Sequence, residues 1–221
     1  MITLESIVES IKIQIKPHLT DDVIIHDAWL IEMINESRGA LMRSLFTSGD
    51  NFIAFFQEYT RTLDDFNANF KKFVLPSKLM QGIGKKNILY FGPEEMGAPT
   101  YHYCSFEELM NYNYHRFGAS KLAFADMGTY LQVRTNSKPT LVLKAIFEVP
   151  NDFDDFVYET SPYPIGENNV RQLEIITFQH IASKLGMPVD LINNGMDETK
   201  NASVNKQVQQ SEQQQPQEQQ Q

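Results

Sequence analysis

A single cysteine, Cys104, denies the chain any internal disulfide, so its stability has to come from a packed core. A lone thiol fits a reducing compartment. Positive charge is also scarce: 19 Lys and Arg against 28 Asp and Glu give a formal net charge of -9. Phosphate binding needs clustered cations to release counterions, so this balance excludes an open nucleic-acid grip. The nearest approaches to a basic patch are the pairs Lys71-Lys72 and Lys85-Lys86. No apolar run approaches the roughly 20 residues of a membrane helix, and no basic stretch followed by a hydrophobic one opens the sequence. A soluble protein that is not Sec-exported is expected, with no membrane partner.

What the chain does have is apolar material: 42% hydrophobic and 11% aromatic residues over 221 positions, enough for a substantial core. Thr3 can cap a helix with Leu4, Ile7, Val8, Ile11 and Ile15 at helical spacing, and Pro17 stops it. A second pattern runs from about Asp27 to Leu45, with Leu30, Ile31, Ile34, Leu41 and Leu45 on one side and Gly49-Asp50 closing it. Together these predict a helical hairpin that needs a further partner for its apolar stripe. After Pro164 a third helix is expected, carrying Val170, Leu173, Ile176, Ile181 and Leu185, with His180 beside the stripe as a half-buried structural histidine. Gly186 and Pro188 end it.

Between the helices, short runs read as strands: Phe52 to Tyr59, Phe73 to Leu75, Asn87 to Phe91, Leu122 to Ala125, Thr129 to Arg134 and Thr140 to Val149. The spacing of Phe52, Phe55, Phe56, Tyr59, Leu63 and Phe66 also fits a helix. Asp126-Met127-Gly128 and Asn136-Ser137-Lys138-Pro139 suit hairpin connections among the last three strands. The fold class is therefore α+β: an N-terminal helical hairpin and a C-terminal helix packed with a small antiparallel sheet. One domain is expected over residues 1–196, helical to 48, β-rich over 49–150, then a loop and helix over 151–196. From 197 to 221 glutamine dominates. This tail cannot bury enough apolar area to offset its backbone entropy, so it is expected to be disordered alone, as a solubilising tail or as a polar arm that orders along a neighbouring subunit.

A search for chemistry finds no convergent set, and no catalytic, cofactor or metal residues are assigned. His102 and Cys104 lack further ligands at short spacing, His115 included, and Cys104 lacks a partner base. Gly82-Ile83-Gly84-Lys85-Lys86 has neither the spacing nor the following helix of a phosphate loop and reads as a turn. Asp152, Asp154 and Asp155 lack the glycine and distal glutamate of a calcium loop. His26-Asp27 reads as a helix start, with the carboxylate near the positive end of the dipole. Trp29 and the aromatic residues of the middle region read as core or subunit interface. Glu32, Glu36, Arg38 and Arg43 read as a solvated helix face, with intersubunit ion pairs through Arg38 and Arg43 as the alternative.

The order of several short motifs is more telling than any one of them. Ile31, Ile34-Asn35 and Arg38-Gly39-Ala40-Leu41-Met42-Arg43 lie on the long helix, followed by Leu75-Pro76, Tyr130-Leu131-Gln132-Val133, Phe147-Glu148-Val149-Pro150, Tyr163-Pro164-Ile165 and Asp190 to Asn194. This succession, over residues 1 to about 195, resembles the ring, or head-to-tail adaptor, proteins of crAss-like bacteriophages. The strand end there often reads Phe-Glu-Asp-Pro, whereas this chain has Val149 in the third place.

The resemblance implies a virion structural protein without enzymatic activity, made in the host bacterial cytoplasm and located in the portal-tail region. It implies a homo-oligomeric ring of about twelve copies, with the portal and other tail ring proteins as partners. Genomic DNA would pass through the lumen without sequence-specific binding, which an acidic balance suits. Arg38, Arg43, Phe147, Glu148, Pro150, Phe153, Tyr163, Asn193 and Asn194 are the interface residues this reading selects. The acidic-aromatic loop Asn151 to Tyr163 is expected at a subunit or ring boundary, and polar replacement of Phe147 and Phe153 is expected to leave a folded monomer that fails to assemble. The alternative is a non-virion tail-assembly chaperone or scaffolding factor; a small hydrolase or nucleotide-binding enzyme would need a nucleophile and base that the sequence does not offer.

Overall fold

A computed structural model describes residues 2–19, 24–50, 53–83, 87–95, 100–111, 122–135 and 137–187. The chain divides into two compact units, 1–177 and 178–221. The Gln-rich segment lies outside the described residues, as do Phe52, Gly84 to Lys86, His115, Asn136 and the stretch from Pro188 that includes Asp190, Asn193 and Asn194.

The helices form where local chemistry directs them. Helix α1 spans Leu4–Ile15, opened by Thr3, whose hydroxyl accepts from the Ser6 amide while the Ser6 side chain accepts from the Thr3 amide. Its five buried residues, Leu4, Ile7, Val8, Ile11 and Ile15, are the expected stripe. Helix α2 spans Asp27–Ser48 and ends at Gly49, whose φ of 78° is the left-handed geometry that glycine adopts without a Cβ penalty. Lys12 of α1 reaches Asp27 of α2 at 2.9 Å, tying the two helices together across their exposed side. Helix α3, Phe106–Asn111, was not expected. A capping box had spelled it out: Ser105 and Glu108 exchange side chain and backbone hydrogen bonds at 3.1 and 2.8 Å. Helix α4, Val170–Lys184, begins in the first unit and continues into the second. Thr177 interrupts its apolar stripe, its buried hydroxyl donating to the Leu173 carbonyl at 2.8 Å. No helix among the described residues is long and apolar enough to cross a membrane.

Eight strands follow among the described residues: β1 Gln57–Thr62, β2 Asp64–Asp65, β3 Phe70–Val74, β4 Ile88–Gly92, β5 His102–Tyr103, β6 Ala123–Asp126, β7 Tyr130–Arg134 and β8 Thr140–Ala145. They make two sheets rather than one: an antiparallel β1-β8-β4 and a mixed β2-β3-β7-β6-β5, in which β5 and β6 run parallel. The β6-β7 hairpin closes as expected, through Gly128 at φ 87° and an Asp126 side chain that accepts from its amide. The 136–139 connection is not a hairpin, because β7 pairs with β3 and β6 whereas β8 pairs with β1 and β4. The reason lies in β8 itself. Leu141, Val142 and Leu143 are all buried, so both faces of this strand are covered and it sits centrally between two partners.

One core lies between the sheets. Phe73, Phe124, Leu131 and Val133 of the five-stranded sheet pack with Phe91, Leu141, Leu143 and Ala145 of the other. Edge-on aromatic contacts run through it: Phe147 to Phe153 at 4.9 Å, Phe153 to Tyr59 at 5.6 Å, Tyr59 to Phe73 at 5.6 Å, Phe73 to Phe91 at 5.2 Å and Phe91 to Phe124 at 4.7 Å. Each such pair adds about 0.5–1.5 kcal/mol beyond its buried area. The sheets also share a corner. The chain runs from β1 through the buried Leu63 directly into β2, and at the opposite edge the Tyr101 amide donates to the Phe91 carbonyl at 2.9 Å. The Phe52–Lys71 stretch, ambiguous in its spacing, is thus neither one helix nor one strand. It holds a 3₁₀ turn at Ile53–Phe55, the bent β1-β2 strand and the start of β3.

Candidate functional site

Beyond Ala145 the chain leaves the β1-β8-β4 sheet but keeps a ladder with a different segment. The Met80 amide donates to Ile146, Phe147 bridges Leu79, and the Glu148 amide donates to Lys78. β8 thus ends at Ala145, short of the Val149 expected from the sequence, and after the isolated Phe147 bridge Pro150 opens a 3₁₀ turn, Pro150–Asp152. After the acidic-aromatic loop the chain returns at Pro162 to Ile165, where the Tyr163 amide donates to the Ile2 carbonyl at 2.9 Å and Pro162 bridges Thr3. Three irregular segments, Ile53–Phe55, the strand end at Phe147 and the Tyr163-Pro164 turn, therefore converge beside α2.

Arg38 sits at their junction and is fully buried. Its Nε donates to the Pro164 carbonyl at 3.1 Å, Nη1 to Phe147 at 2.8 Å and Nη2 to Phe55 at 3.3 Å. The guanidinium also lies over two rings, 5.6 Å from the Phe55 centroid and 5.9 Å from that of Tyr163. Among the described residues no carboxylate pairs with it, and desolvation pushes its pKa below the ordinary arginine value. Next to it, the Tyr163 hydroxyl donates to Asn35 Oδ1 at 2.8 Å, and Asn35 Nδ2 donates to Asn151 Oδ1 at 2.8 Å. Burial raises the Tyr163 pKa far above its usual range, outweighing the nearby cation.

The structure places most of the selected residues in the interior of the chain. Arg38, Phe147 and Tyr163 are 0%, 0% and 2% exposed, Pro150 is buried and Phe153 is 9% exposed. Arg38 thus belongs to no solvated face, unlike Glu32, Glu36 and Arg43, which are exposed on α2. Glu148 is half-buried. Phe147 and Phe153 form a ring pair inside the main core, so polar replacement there acts first on folding rather than leaving an intact monomer.

Asn35, Phe55 and Asn151, though named in the sequence patterns, were not among the selected interface residues. A signal existed: Leu30, Ile34, Arg38, Leu41 and Leu45 recur at helical spacing, which puts the arginine in the buried stripe. Arg38 has no exposure to solvent, and Tyr163 is 2% exposed. Among the described residues no group of three or more His, Cys, Asp or Glu is placed to hold a metal ion.

Beside this node lies a cleft of about 430 Å³. Phe153, Phe156, Tyr163, Pro162 and Pro164 supply its apolar lining, and Gln57, Glu58 and Asp155 its polar groups. Gln57 is oriented by a hydrogen bond from Nε2 to the Pro150 carbonyl at 3.2 Å, while its buried Oε1 has no protein partner.

Comparison of the chain with protein-family models and with curated proteins returned no match.

Proposed function

We propose that this protein is a virion structural protein, a subunit of a ring in the portal-tail connector of a short-tailed, crAss-like phage, and that it has no enzymatic role. The observation that carries the proposal is the convergence of motifs far apart in sequence. Asn35 and Arg38 of the helix motif, Phe147 of the Phe-Glu-x-Pro run and Tyr163-Pro164 of the turn, each part of the resemblance, meet in one hydrogen-bonded node. Such a node gives a rigid block suited to repeated, identical contacts, as a closed ring requires. The net charge of -9 is consistent with a channel wall that DNA passes without adhering.

The test is negative-stain imaging of the purified protein mixed with its portal. A closed ring of about twelve copies stacked on the portal is the expected result. A protein that stays monomeric beside the portal overturns the proposal. Mass spectrometry of purified particles addresses the alternative: absence from the mature virion would make it an assembly chaperone instead.

A further inference from the structure

We propose that the cleft between Ala54–Glu58 and the 153–165 loop is a docking groove for an extended basic segment of a partner protein, with an apolar side chain on its floor and Lys or Arg along its rim. The inference deepens the connector reading, resting on it only for the partner being a neighbouring virion protein.

Shape and charge argue for that occupant. The cleft is within the size range of about 300–1,000 Å³ typical of ligand sites, and its floor is aromatic and proline-rich, suited to a side chain inserted from an extended peptide. Ile53, 65% exposed, and Val157, 48% exposed, lie beside it in the chain and extend apolar surface outside it. From Glu148 to Val170 the sequence carries six carboxylates and no Lys, Arg or His. Asp152, Asp154, Asp155 and Glu159 are all exposed on the loop, and Glu58 adds a further carboxylate at the opposite wall, shared with Lys144 at 2.9 Å. Arg38 lies behind Tyr163 with its donors directed to three carbonyls. A second copy, itself at net charge -9, brings the wrong sign, and so does a nucleic acid.

The experiment uses the full chain and a fluorescein-labelled peptide, Gly-Lys-Lys-Phe-Pro-Leu-Lys-Lys-Gly. One twin carries Glu for every Lys and another carries Ala for Phe and Leu. Fluorescence anisotropy at low salt should show saturable binding of the first peptide and at least about tenfold weaker binding of each twin. Ala54→Trp, which fills the cleft from an exposed position, should abolish binding, and Asp155→Lys should weaken it by about three- to tenfold, both with unchanged circular dichroism and urea midpoint. Equal binding of either twin, or binding indifferent to Ala54→Trp, overturns the proposal. Self-association abolished by Ala54→Trp, without peptide binding, overturns it in favour of a second copy. Particle imaging reads the connector assignment independently, so failure of one is distinguishable from failure of the other.

Discussion

Replacing Arg38 tests the node directly. Its guanidinium serves three carbonyls from three segments, at 3.1, 2.8 and 3.3 Å, with no exposure to water. A hydrogen bond to a charged group contributes about 1.5–3 kcal/mol, so the gross loss on removing all three is about 5–9 kcal/mol. Against this stands the relief of a desolvated cation that has no carboxylate partner, a gain of several kcal/mol. The net expected cost of Arg38→Ala is therefore about 3–5 kcal/mol, and Arg38→Met, which keeps volume and removes only the donors and charge, should cost about 1–3 kcal/mol. Arg38→Lys is the decisive member. It keeps the charge but replaces the planar five-donor fork by a compact ammonium that cannot reach three divergent carbonyls, so it should cost about 2 kcal/mol or more. Urea unfolding monitored by circular dichroism at pH 7 measures all three. A Lys variant within about 0.5 kcal/mol of the parent would refute the argument, because charge rather than fork geometry would then hold the node.

Tyr163→Phe removes a buried group whose pKa is raised by desolvation, so the native state favours the neutral phenol. That contribution is complete below the ordinary tyrosine value of about 10 and is lost as pH rises through the folded value; the stability gap between parent and variant should narrow above pH 10 by up to about 1.4 kcal/mol per pH unit, measured by urea melts from pH 8 to 11. Asp65 is held below its ordinary 3.8 by hydrogen bonds from Lys138 and Lys71, so its contribution is present above about pH 4 and lost as pH falls through the folded value. Asp65→Asn should therefore lower stability at neutral pH and converge with the parent as pH falls through the folded value, which shallows the acid limb of the profile in urea melts. Gly49→Ala should cost about 1 kcal/mol from backbone strain alone, since a Cβ there meets nothing within 4 Å at φ 78°. A thermal melt of that variant matching the parent would count against the left-handed cap.

The parts of the fold legible in the sequence are those written in local chemistry. Thr3 and Ser6 mark one helix start, Gly49 a helix end and Asp126-Met127-Gly128 a hairpin, because capping and turn geometry involve neighbours in the chain. The sheet partners were not legible. Leu141, Val142 and Leu143 announce a strand covered on both faces, yet nothing in them says that β1 and β4, rather than β7, lie alongside. Helix α3 was announced by Ser105 and Glu108 and still not predicted, since six residues are too few for an apolar stripe to show. Arg38 was legible by position and misleading by type. Helical spacing sets it among the core positions of α2, namely Leu30, Ile34, Leu41 and Leu45, while its charge argues for the surface.

That conflict has a physical resolution in what surrounds the side chain. Phe55, Phe147 and Pro164 lie in segments that are neither helix interior nor central ladder, and their buried carbonyls need donors that regular secondary structure does not supply there. Among side chains only arginine presents five N–H donors in one plane, enough to serve three acceptors from different directions without leaving an acceptor of its own to satisfy. The cost is a buried cation, lessened by the ring faces of Phe55 and Tyr163. The same bonds fix the Tyr163-Pro164 wall of the cleft, so its shape is set from inside the molecule. An Arg38→Met variant that remains folded should therefore bind the basic peptide more weakly than the parent although no residue lining the cleft has changed. Unaltered affinity in that folded variant would show that the wall is held by its contacts with Ile2 and Thr3 instead.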